Sequence, residues 1–144
     1  MLTAYPANLR SYPDGTVGVF FPDVPEAATA GKTRTAALKA AEDALTLALS
    51  SYVDDGRTVP DGSRARRGQV LVYLPPLAAL QLAIHDAMVR QGITQAALAS
   101  RLGVDGRQVR RILDLDHESK LSQLEAALGA LGLRAAVAVE ELAA

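Results

Sequence analysis

The sequence contains no cysteine and only two histidines, His85 and His117. Without cysteine the chain can form no disulfide, no thiolate nucleophile and no cysteine-ligated zinc site. Neither histidine has a partner at the spacing of metal ligands, and neither stands near a serine and an acid that would suggest a catalytic triad. We therefore expect no metal and no other cofactor, and we expect both histidines on the surface.

Long apolar runs are absent as well. No stretch approaches the roughly 20 apolar residues that a membrane-spanning helix needs. The N-terminal sequence MLTAYPANLRSYPDG lacks the basic head and continuous apolar segment of a secretory signal. With 49% apolar and 22% charged residues in 144, the composition is that of a soluble protein with one domain or two compact halves. The sequence therefore predicts a cytoplasmic protein without membrane contact.

The first half of the chain, residues 1–75, has the pattern of a small domain with strands and one helix. The runs LTAYPANL and GTVGVFF are rich in β-forming residues, and Asp14 and Gly15 between them supply the turn of a hairpin. Pro22 and Pro25 interrupt the chain after the hairpin. The pattern predicts two antiparallel strands followed by a bend.

The rest of this half predicts a third strand, a helix, a loop and a last strand. A short strand is expected at 28–30, and apolar residues at helical spacing predict one long helix over 33–53, packed on the sheet. Residues 54–69 are rich in charge and turn formers and hold almost nothing that could enter a core, so we expect an exposed loop. VLVYL forms the last strand, and the proline pair after it opens the second half, residues 76–144.

The second half has a helical pattern from Leu77 to Leu131, with a first helix that ends at Gly92 and a last helix that ends at Gly132. The tail LRAAVAVEELAA then alternates apolar and other residues, which favours a strand, whereas its alanine content favours a helix. A strand there would have no neighbour within its own half. We therefore expect it to pair between subunits, which predicts a homodimer or a higher even-numbered oligomer.

Between these helices, residues 94–113 read TQAALASRLGVDGRQVRRIL, the pattern of two short helices joined by a tight turn. Thr94 and Asp105 are placed to cap the two helices, and Gly103 permits the turn. The outward side chains of the second helix, arginines and a glutamine, suit base edges and phosphates. An apolar set supplies the inner face on which such a pair packs: Leu98, Leu102, Val109 and Ile112.

Residues 77–132 resemble the DNA-binding domain of the lambda-repressor-like (XRE) family, whose pattern TQxxLAxxLGVxxxxVxRxL they match almost throughout. The resemblance implies a helix-turn-helix with operator DNA as its partner. It implies that Gln95 contacts phosphate and braces the recognition helix. Gly106 departs from the family, because a glycine removes one side chain that would contact a base. The resemblance places Gly106, Arg107 and Arg111 at the bases, with Gln108 and Arg110 close to the DNA backbone.

The formal net charge of the chain is -1, which by itself does not suggest a DNA-binding protein. From Arg101 to Arg111, however, four arginines stand against one aspartate, a local charge of +3. DNA affinity depends on the charges at the phosphates and not on the chain total. One such face makes few phosphate contacts, so we expect dimerisation to supply the remaining affinity.

The first half resembles the N-terminal domain of HicB antitoxins. DGTVGVFFPDVPEAATAGKT followed by a helix is similar to that family's hairpin, FPDxPE motif, short strand and GxT helix start, and VPDGS is similar to its VPxPS loop. Asp61 and Gly62 depart from the loop pattern, and Thr35 and Ala36 stand where acidic residues commonly open the helix. One branch of the family also ends in an XRE-type domain and a short final strand, so the resemblance covers nearly the whole chain.

The expected fold class is therefore α+β. Residues 1–75 are expected to form a partial ribonuclease H-like ββ(β)αβ domain, and residues 76–144 an all-α lambda-repressor-like helix-turn-helix domain with a short C-terminal dimerisation strand. Active ribonuclease H-like enzymes hold two metal ions with carboxylates on adjacent strands. The two hairpin strands contain no acid, and Asp23 beside prolines is typical of a turn. We therefore expect no catalytic residue, and an active nuclease is the least favoured alternative.

The HicB resemblance implies a type II antitoxin that occludes a HicA-like mRNA-cleaving toxin and represses its own operon by binding operator DNA. Because such a toxin is basic, acidic surface residues are favoured as its contacts, and Asp14, Asp23 and Glu26 are the candidates. The alternative from a different class is a one-component transcriptional repressor whose first half senses a small ligand. No convergent polar pocket is visible in the sequence to support that alternative.

Overall fold

The computed structural model describes residues 3–142. Within that range the chain has the expected α+β class, and no helix is long and apolar enough to cross a membrane. Leu2, where the first predicted strand begins, and the last two tail residues, Ala143 and Ala144, lie outside the described residues. In chain order the elements are β1 (Ala4–Ser11), β2 (Val17–Phe20), β3 (Ala28–Gly31), α1 (Arg34–Asp54), β4 (Val70–Tyr73), α2 (Pro76–Gln91), α3 (Gln95–Leu102), α4 (Gly106–Leu113) and α5 (Leu121–Ala130).

The four strands form one sheet in the order β3-β2-β1-β4, and each neighbouring pair is antiparallel. The β1–β2 hairpin turns at the predicted residues. The Asp14 carboxylate accepts hydrogen bonds from the Thr16 backbone N–H at 3.0 Å and from the Thr16 hydroxyl at 2.6 Å. Gly15 adopts a φ of 89°, which glycine tolerates and other residues rarely do. The expected third strand is present as β3 and forms one edge of the sheet.

Helix α1 covers one face of this sheet. Its first turn is capped by the Thr33 hydroxyl, which accepts a hydrogen bond from the Ala36 N–H at 3.1 Å. The backbone of β3 approaches α1 so closely that a Cβ on Gly31 would clash with Ala37, so this position requires glycine. The helix therefore packs on the sheet as predicted. The shared core includes Tyr5, Ala7, Val19 and Val72 from the strands and Ala37, Ala41, Leu45 and Leu49 from α1.

The loop between α1 and β4 is less exposed than predicted. Val59 is 1% exposed and belongs to the same core, because long-range contacts draw the loop inward. The Tyr5 hydroxyl donates to the Pro60 carbonyl oxygen at 2.6 Å, and burial raises the pKa of this phenol. A Cβ on Gly62 would clash with the carbonyl oxygen of Ala4. The glycine that departs from the VPxPS pattern thus allows the loop to lie against β1.

A second core joins the four later helices. Helix α2 takes part in both cores, because Leu82 belongs to the first and Ile84 to the second. Val53 and Ala83 contact both cores. The two halves therefore share a helix, and the boundary expected between residues 75 and 76 stays a prediction. The second core includes Ile84 and Met88 of α2, Leu98 of α3, Val109 and Ile112 of α4, and Leu124 and Leu128 of α5.

The tail at residues 133–142 forms neither a strand nor a helix in the single chain. Ala135 packs against the second core, whereas Val137 and Val139 are 86% and 93% exposed. A strand exists only with a neighbour that bonds to its backbone, and none of the described residues takes that place beside the tail. The expected C-terminal strand is therefore not formed within one chain, and its pairing between subunits stays a prediction.

Candidate nucleic-acid interface

Helices α3 and α4 have eight residues each and are joined by a tight turn. The Thr94 hydroxyl accepts from the Ala97 N–H at 3.1 Å, and the Asp105 carboxylate accepts from the Gln108 N–H at 3.1 Å. Both predicted caps are therefore confirmed. Gly103 ends α3 with a φ of 67°, which a glycine accommodates without strain. The sequence thus identified the residues that build this turn.

The inner faces of α3 and α4 are buried against each other and against α5. Leu98 and Val109 are 0% exposed, Ile112 is 1% exposed, and Leu102 is half-buried. They pack in the same core as Leu124 of α5. Closely packed side chains of this kind hold helices in fixed relative positions. The outward side chains of α4 therefore stand on a rigid support.

The outer face of α4 presents its arginines to solvent. The salt bridges within residues 3–142 lie elsewhere in the chain, and none involves an arginine of α4. A Cβ added at Gly106 meets no atom within 4 Å, so packing does not require the glycine there. Of the predicted DNA contacts, Gln95, Gly106, Arg107, Arg110 and Arg111 are exposed and Gln108 is half-buried.

Two grooves divide the predicted contacts into two groups. A groove of about 400 Å³ between α4 and α5 is lined by Arg107, Gln108 and Arg111. A second groove, of about 350 Å³, lies between the end of α1 and α4 and is lined by Gln95 and Arg110. The structure thus brings Arg107 and Arg111 together and separates them from Arg110.

The two grooves differ in electrostatic character. Asp54, Asp114 and Asp116 line the groove that holds Arg110, and α1 and α4 both end beside it, with the negative ends of their dipoles. Asp105 lines the other groove, where its carboxylate already caps α4. Arg107 and Arg111 therefore have fewer carboxylates beside them than Arg110 has.

The acids predicted to contact a protein partner are hydrogen-bonded within the chain. Asp14 belongs to the hairpin turn, and its bonds to Thr16 lower the pKa of its carboxyl. Asp23 accepts a hydrogen bond from the Ser63 N–H at 2.8 Å, which ties the later loop to the first half. The two acids lie beyond opposite ends of β2, whose four residues span about 13 Å. The structure therefore does not bring Asp14 together with Asp23.

Glu26 belongs to an exposed cluster with Tyr52 and Arg57. The Tyr52 hydroxyl donates to the two Glu26 carboxylate oxygens at 2.9 and 3.0 Å. The Arg57 guanidinium lies 3.8 Å from that carboxylate and 4.0 Å from the centre of the Tyr52 ring. A hydrogen bond from its own backbone and the bond from Tyr52 lower the pKa of Glu26. Glu26 thus offers a partner less free charge than the sequence suggests.

A buried polar cluster on α2 was not predicted. The expectation that His85 lies on the surface is wrong: it is 5% exposed, because α2 lies between the two cores. Its Nε2 donates to the carbonyl oxygen of Arg57 at 2.8 Å. Asp86, 9% exposed, accepts from the Val59 N–H at 3.2 Å and from Arg90 Nε at 2.6 Å. The available signal was the pair of polar residues inside the apolar stretch LQLAIHDAM.

One turn earlier on α2, Gln81 is 1% exposed and faces the end of α4. Its Nε2 donates to the carbonyl oxygens of Ile112 at 3.0 Å, Asp114 at 2.8 Å and His117 at 3.3 Å. The side chain of His117 itself is exposed, as predicted. Helix α2 therefore contacts the loop of the first half with one set of polar side chains and the end of α4 with another.

A family model described as the HicB-like antitoxin of bacterial toxin-antitoxin systems matches residues 4–83. The chain belongs to this family. Antitoxin HicB of Pseudomonas fluorescens is 39% identical over 127 residues, which cover 88% of this chain and 87% of that protein. Antitoxin HicB 1 of Photorhabdus laumondii is 35% identical over 136 residues, or 94% and 86% of the two chains. Antitoxin HicB of Escherichia coli K12 is 34% identical over 128 residues, or 89% and 93%.

The HicB-like family is one of antitoxins and not of enzymes. The family match covers the sheet, α1, the loop and the first half of α2, including Gln81. The match to the Photorhabdus antitoxin spans 136 of the 144 residues, so it also extends over α3 and α4. The alignment with a relative named as an antitoxin therefore includes the residues of α3 and α4.

Proposed function

We propose that the chain is a type II antitoxin that occludes a HicA-like mRNA-cleaving toxin through residues 1–75 and represses its own operon through residues 76–144. Family membership supports the first role. The second rests on one observation: α4 carries exposed arginines without salt bridges on a capped and rigidly packed pair of helices. Both roles are binding functions that need no chemistry from this chain.

In the first half, a sheet with one helix on one face supports the partial ribonuclease H-like assignment. The other face of the sheet exposes Phe20, Leu71 and Tyr73, at 40%, 41% and 53%. Exposed apolar side chains on a common face favour a protein partner. The toxin is proposed to bind this half, with Asp14, Asp23 and Glu26 as its acidic contacts.

In the second half, α3 and α4 are proposed to form a helix-turn-helix with α4 as the recognition helix. Arg107 and Arg111 share one groove and are assigned to base edges, since arginine pairs bidentately with guanine. Gln95, Gln108 and Arg110 are assigned to the DNA backbone. Gly106 lies at the bases without contributing a side chain.

A homodimer is proposed to form through the tail after Gly132, with two copies of α4 on one operator. The exposed Val137 and Val139 favour this pairing, because it would bury apolar side chains that the single chain leaves in solvent. Two copies also double the phosphate contacts.

The two roles are tested separately. Coexpression with the product of the adjacent small gene is expected to give a stoichiometric complex and to suppress that product's toxicity; a neighbour that is neither basic nor toxic contradicts the antitoxin role. A fluorescence-anisotropy titration with the DNA upstream of the gene is expected to show tighter binding than a random duplex of equal length. Equal binding contradicts the repressor role alone.

A further inference from the structure

The side chain of Gln81, a residue of α2, caps the C-terminal end of α4. The last carbonyl groups of a helix have no partner within it and must be satisfied by other groups. The Gln81 amide nitrogen contacts three carbonyl oxygens there, those of Ile112, Asp114 and His117, at 2.8 to 3.3 Å. The side chain therefore ties the end of α4 and the following turn to one point on α2.

The oxygen of the same amide indicates that the Gln81 hydrogen bonds do more than stabilise the fold. Gln81 Oε1 is buried and has no hydrogen-bond partner among the described residues. A buried, unpaired oxygen is unfavourable, and an apolar side chain of similar shape avoids that penalty. The unpaired oxygen offsets part of the stability that the three Nε2 hydrogen bonds contribute, and those bonds also give the end of α4 a defined position.

The position of α2 is itself fixed by the first half. One turn after Gln81, His85 donates to the Arg57 carbonyl oxygen at 2.8 Å, and Asp86 accepts from the Val59 N–H at 3.2 Å. These bonds attach α2 to the loop Arg57–Pro60, which the Tyr5 hydroxyl holds to β1 at 2.6 Å. Buried and partly buried hydrogen bonds thus join the sheet to the loop, the loop to α2, and α2 to the end of α4.

We propose that Gln81 is a positioning residue for DNA recognition, which fixes the end of α4 on α2, while the Arg57–Pro60 loop fixes α2 through His85 and Asp86. This inference rests on the proposed role of α4 as the recognition helix. It means that the first half contributes to operator selection without touching DNA. A protein bound to the first half then has a physical route by which it alters DNA binding.

The chain offers a matched pair of variants for the test. Gln81→Met removes the amide from α2 with little change in side-chain length. Gln91→Met removes an amide from the same helix that donates to the Leu131 carbonyl oxygen at 2.8 Å, at the end of α5 and away from α4. Each variant loses amide hydrogen bonds to the end of a neighbouring helix, and the lost bonds hold α4 in one variant and α5 in the other.

Anisotropy titrations compare the DNA upstream of the gene with a random duplex of equal length. Gln81→Met is expected to weaken binding to the upstream DNA about tenfold, the size of a single base mismatch. Binding to the random duplex is expected to change little, because phosphate contacts tolerate a small shift of α4. Gln91→Met is expected to leave both affinities near wild type. Equal losses on the two duplexes for Gln81→Met overturn the proposal.

The link to the first half is tested with His85→Phe in a double-mutant cycle. If α2 transmits the effect, Gln81→Met and His85→Phe together lose less affinity for the upstream DNA than the product of the two separate losses. When Gln91→Met is combined with His85→Phe, the loss of affinity for the upstream DNA is expected to equal the product of the two separate losses. Multiplicative behaviour in both pairs overturns the role of the loop.

A measurement without DNA separates this inference from the repressor function. Amide hydrogen exchange at Asp114, Asp116 and His117 is expected to be faster in Gln81→Met than in wild type or Gln91→Met, since the turn loses its anchor. Unchanged exchange overturns the positioning role directly. If exchange is faster and the wild type does not select the upstream DNA, the repressor function fails, and only the structural part of the inference survives.

Discussion

The side chains proposed to contact partners are bonded within the chain to different degrees in the two halves of the molecule. In the first half the candidate acids are bonded to their own chain: Asp14 to Thr16, Asp23 to Ser63, and Glu26 to Tyr52. In the second half, the arginines of α4 form no salt bridge within residues 3–142, and the valines of the tail are almost fully exposed. The candidate acids of the first half are therefore already bonded within the chain, whereas the arginines of α4 are open to a partner.

This difference indicates what each proposed partner must provide. A carboxylate that is already hydrogen-bonded has fewer open acceptor sites for a new cation, whereas a guanidinium without a salt bridge has its N–H donors open to phosphate. Toxin binding is therefore expected to depend on shape and apolar contact at least as much as on the three acids. DNA binding is expected to depend directly on the arginines of α4.

The largest expected effect is that of Arg107→Ala. It is expected to cost about 1 to 3 kcal/mol of operator binding and to relax the sequence preference, because a bidentate contact to a base is lost. The measurement is an anisotropy titration with the upstream DNA and with a random duplex. Arg64→Ala removes an equal charge from an exposed position in the loop and is expected to leave the preference intact. An unchanged preference in Arg107→Ala would show that another residue contacts that base.

Local structure was largely predictable from the sequence. The caps Thr94 and Asp105 and the turn residue Gly103 each act on backbone groups within a few positions. The third strand was also found, because Pro22 and Pro25 bracket the bend before it. These features need no knowledge of how distant parts of the chain meet.

The contacts that were missed join residues far apart in sequence. Asp86 binds a loop residue 27 positions away, and His85 binds one 28 positions away. Whether a polar residue in an apolar helix is buried depends on what crosses over it, and no local pattern contains the path of the loop. The same reason applies to Glu26, whose hydrogen-bond partner Tyr52 lies 26 positions away.

An intermediate effect is expected from removal of the tail after Gly132. If the tails of two copies pair as strands, several cross-strand pairs are lost, each worth roughly 0.2 to 1 kcal/mol, so dimerisation weakens by about 1 to 2 kcal/mol. Sedimentation equilibrium measures this change. Val137→Thr with Val139→Thr keeps β-branched side chains and removes apolar surface, so a smaller loss is expected. If the deletion leaves the dimerisation affinity unchanged, the subunits contact each other through another surface.

The smallest expected effect concerns the exposed cluster of the first half. Because the folded state lowers the pKa of Glu26, its ionised form stabilises the fold above its usual value of 4.5, and this stabilisation is lost as the pH falls through the folded pKa. Tyr52→Phe removes the hydroxyl that contributes to this shift. The variant is expected to be less stable than wild type by about 0.5 kcal/mol or less at pH 7, since the cluster is exposed.

Denaturant unfolding at a series of pH values measures this loss of stability. The difference in the free energy of unfolding between wild type and Tyr52→Phe is expected to shrink below about pH 4.5, the usual pKa of Glu26. Tyr12→Phe is the matched control, because the Tyr12 hydroxyl has no hydrogen bond within residues 3–142. A difference in the free energy of unfolding that does not shrink as the pH falls below 4.5 would mean that Tyr52 acts through packing and not through the carboxylate. Glu26 would then be less firmly bonded than the geometry indicates, and the first half would hold a freer acid for its partner.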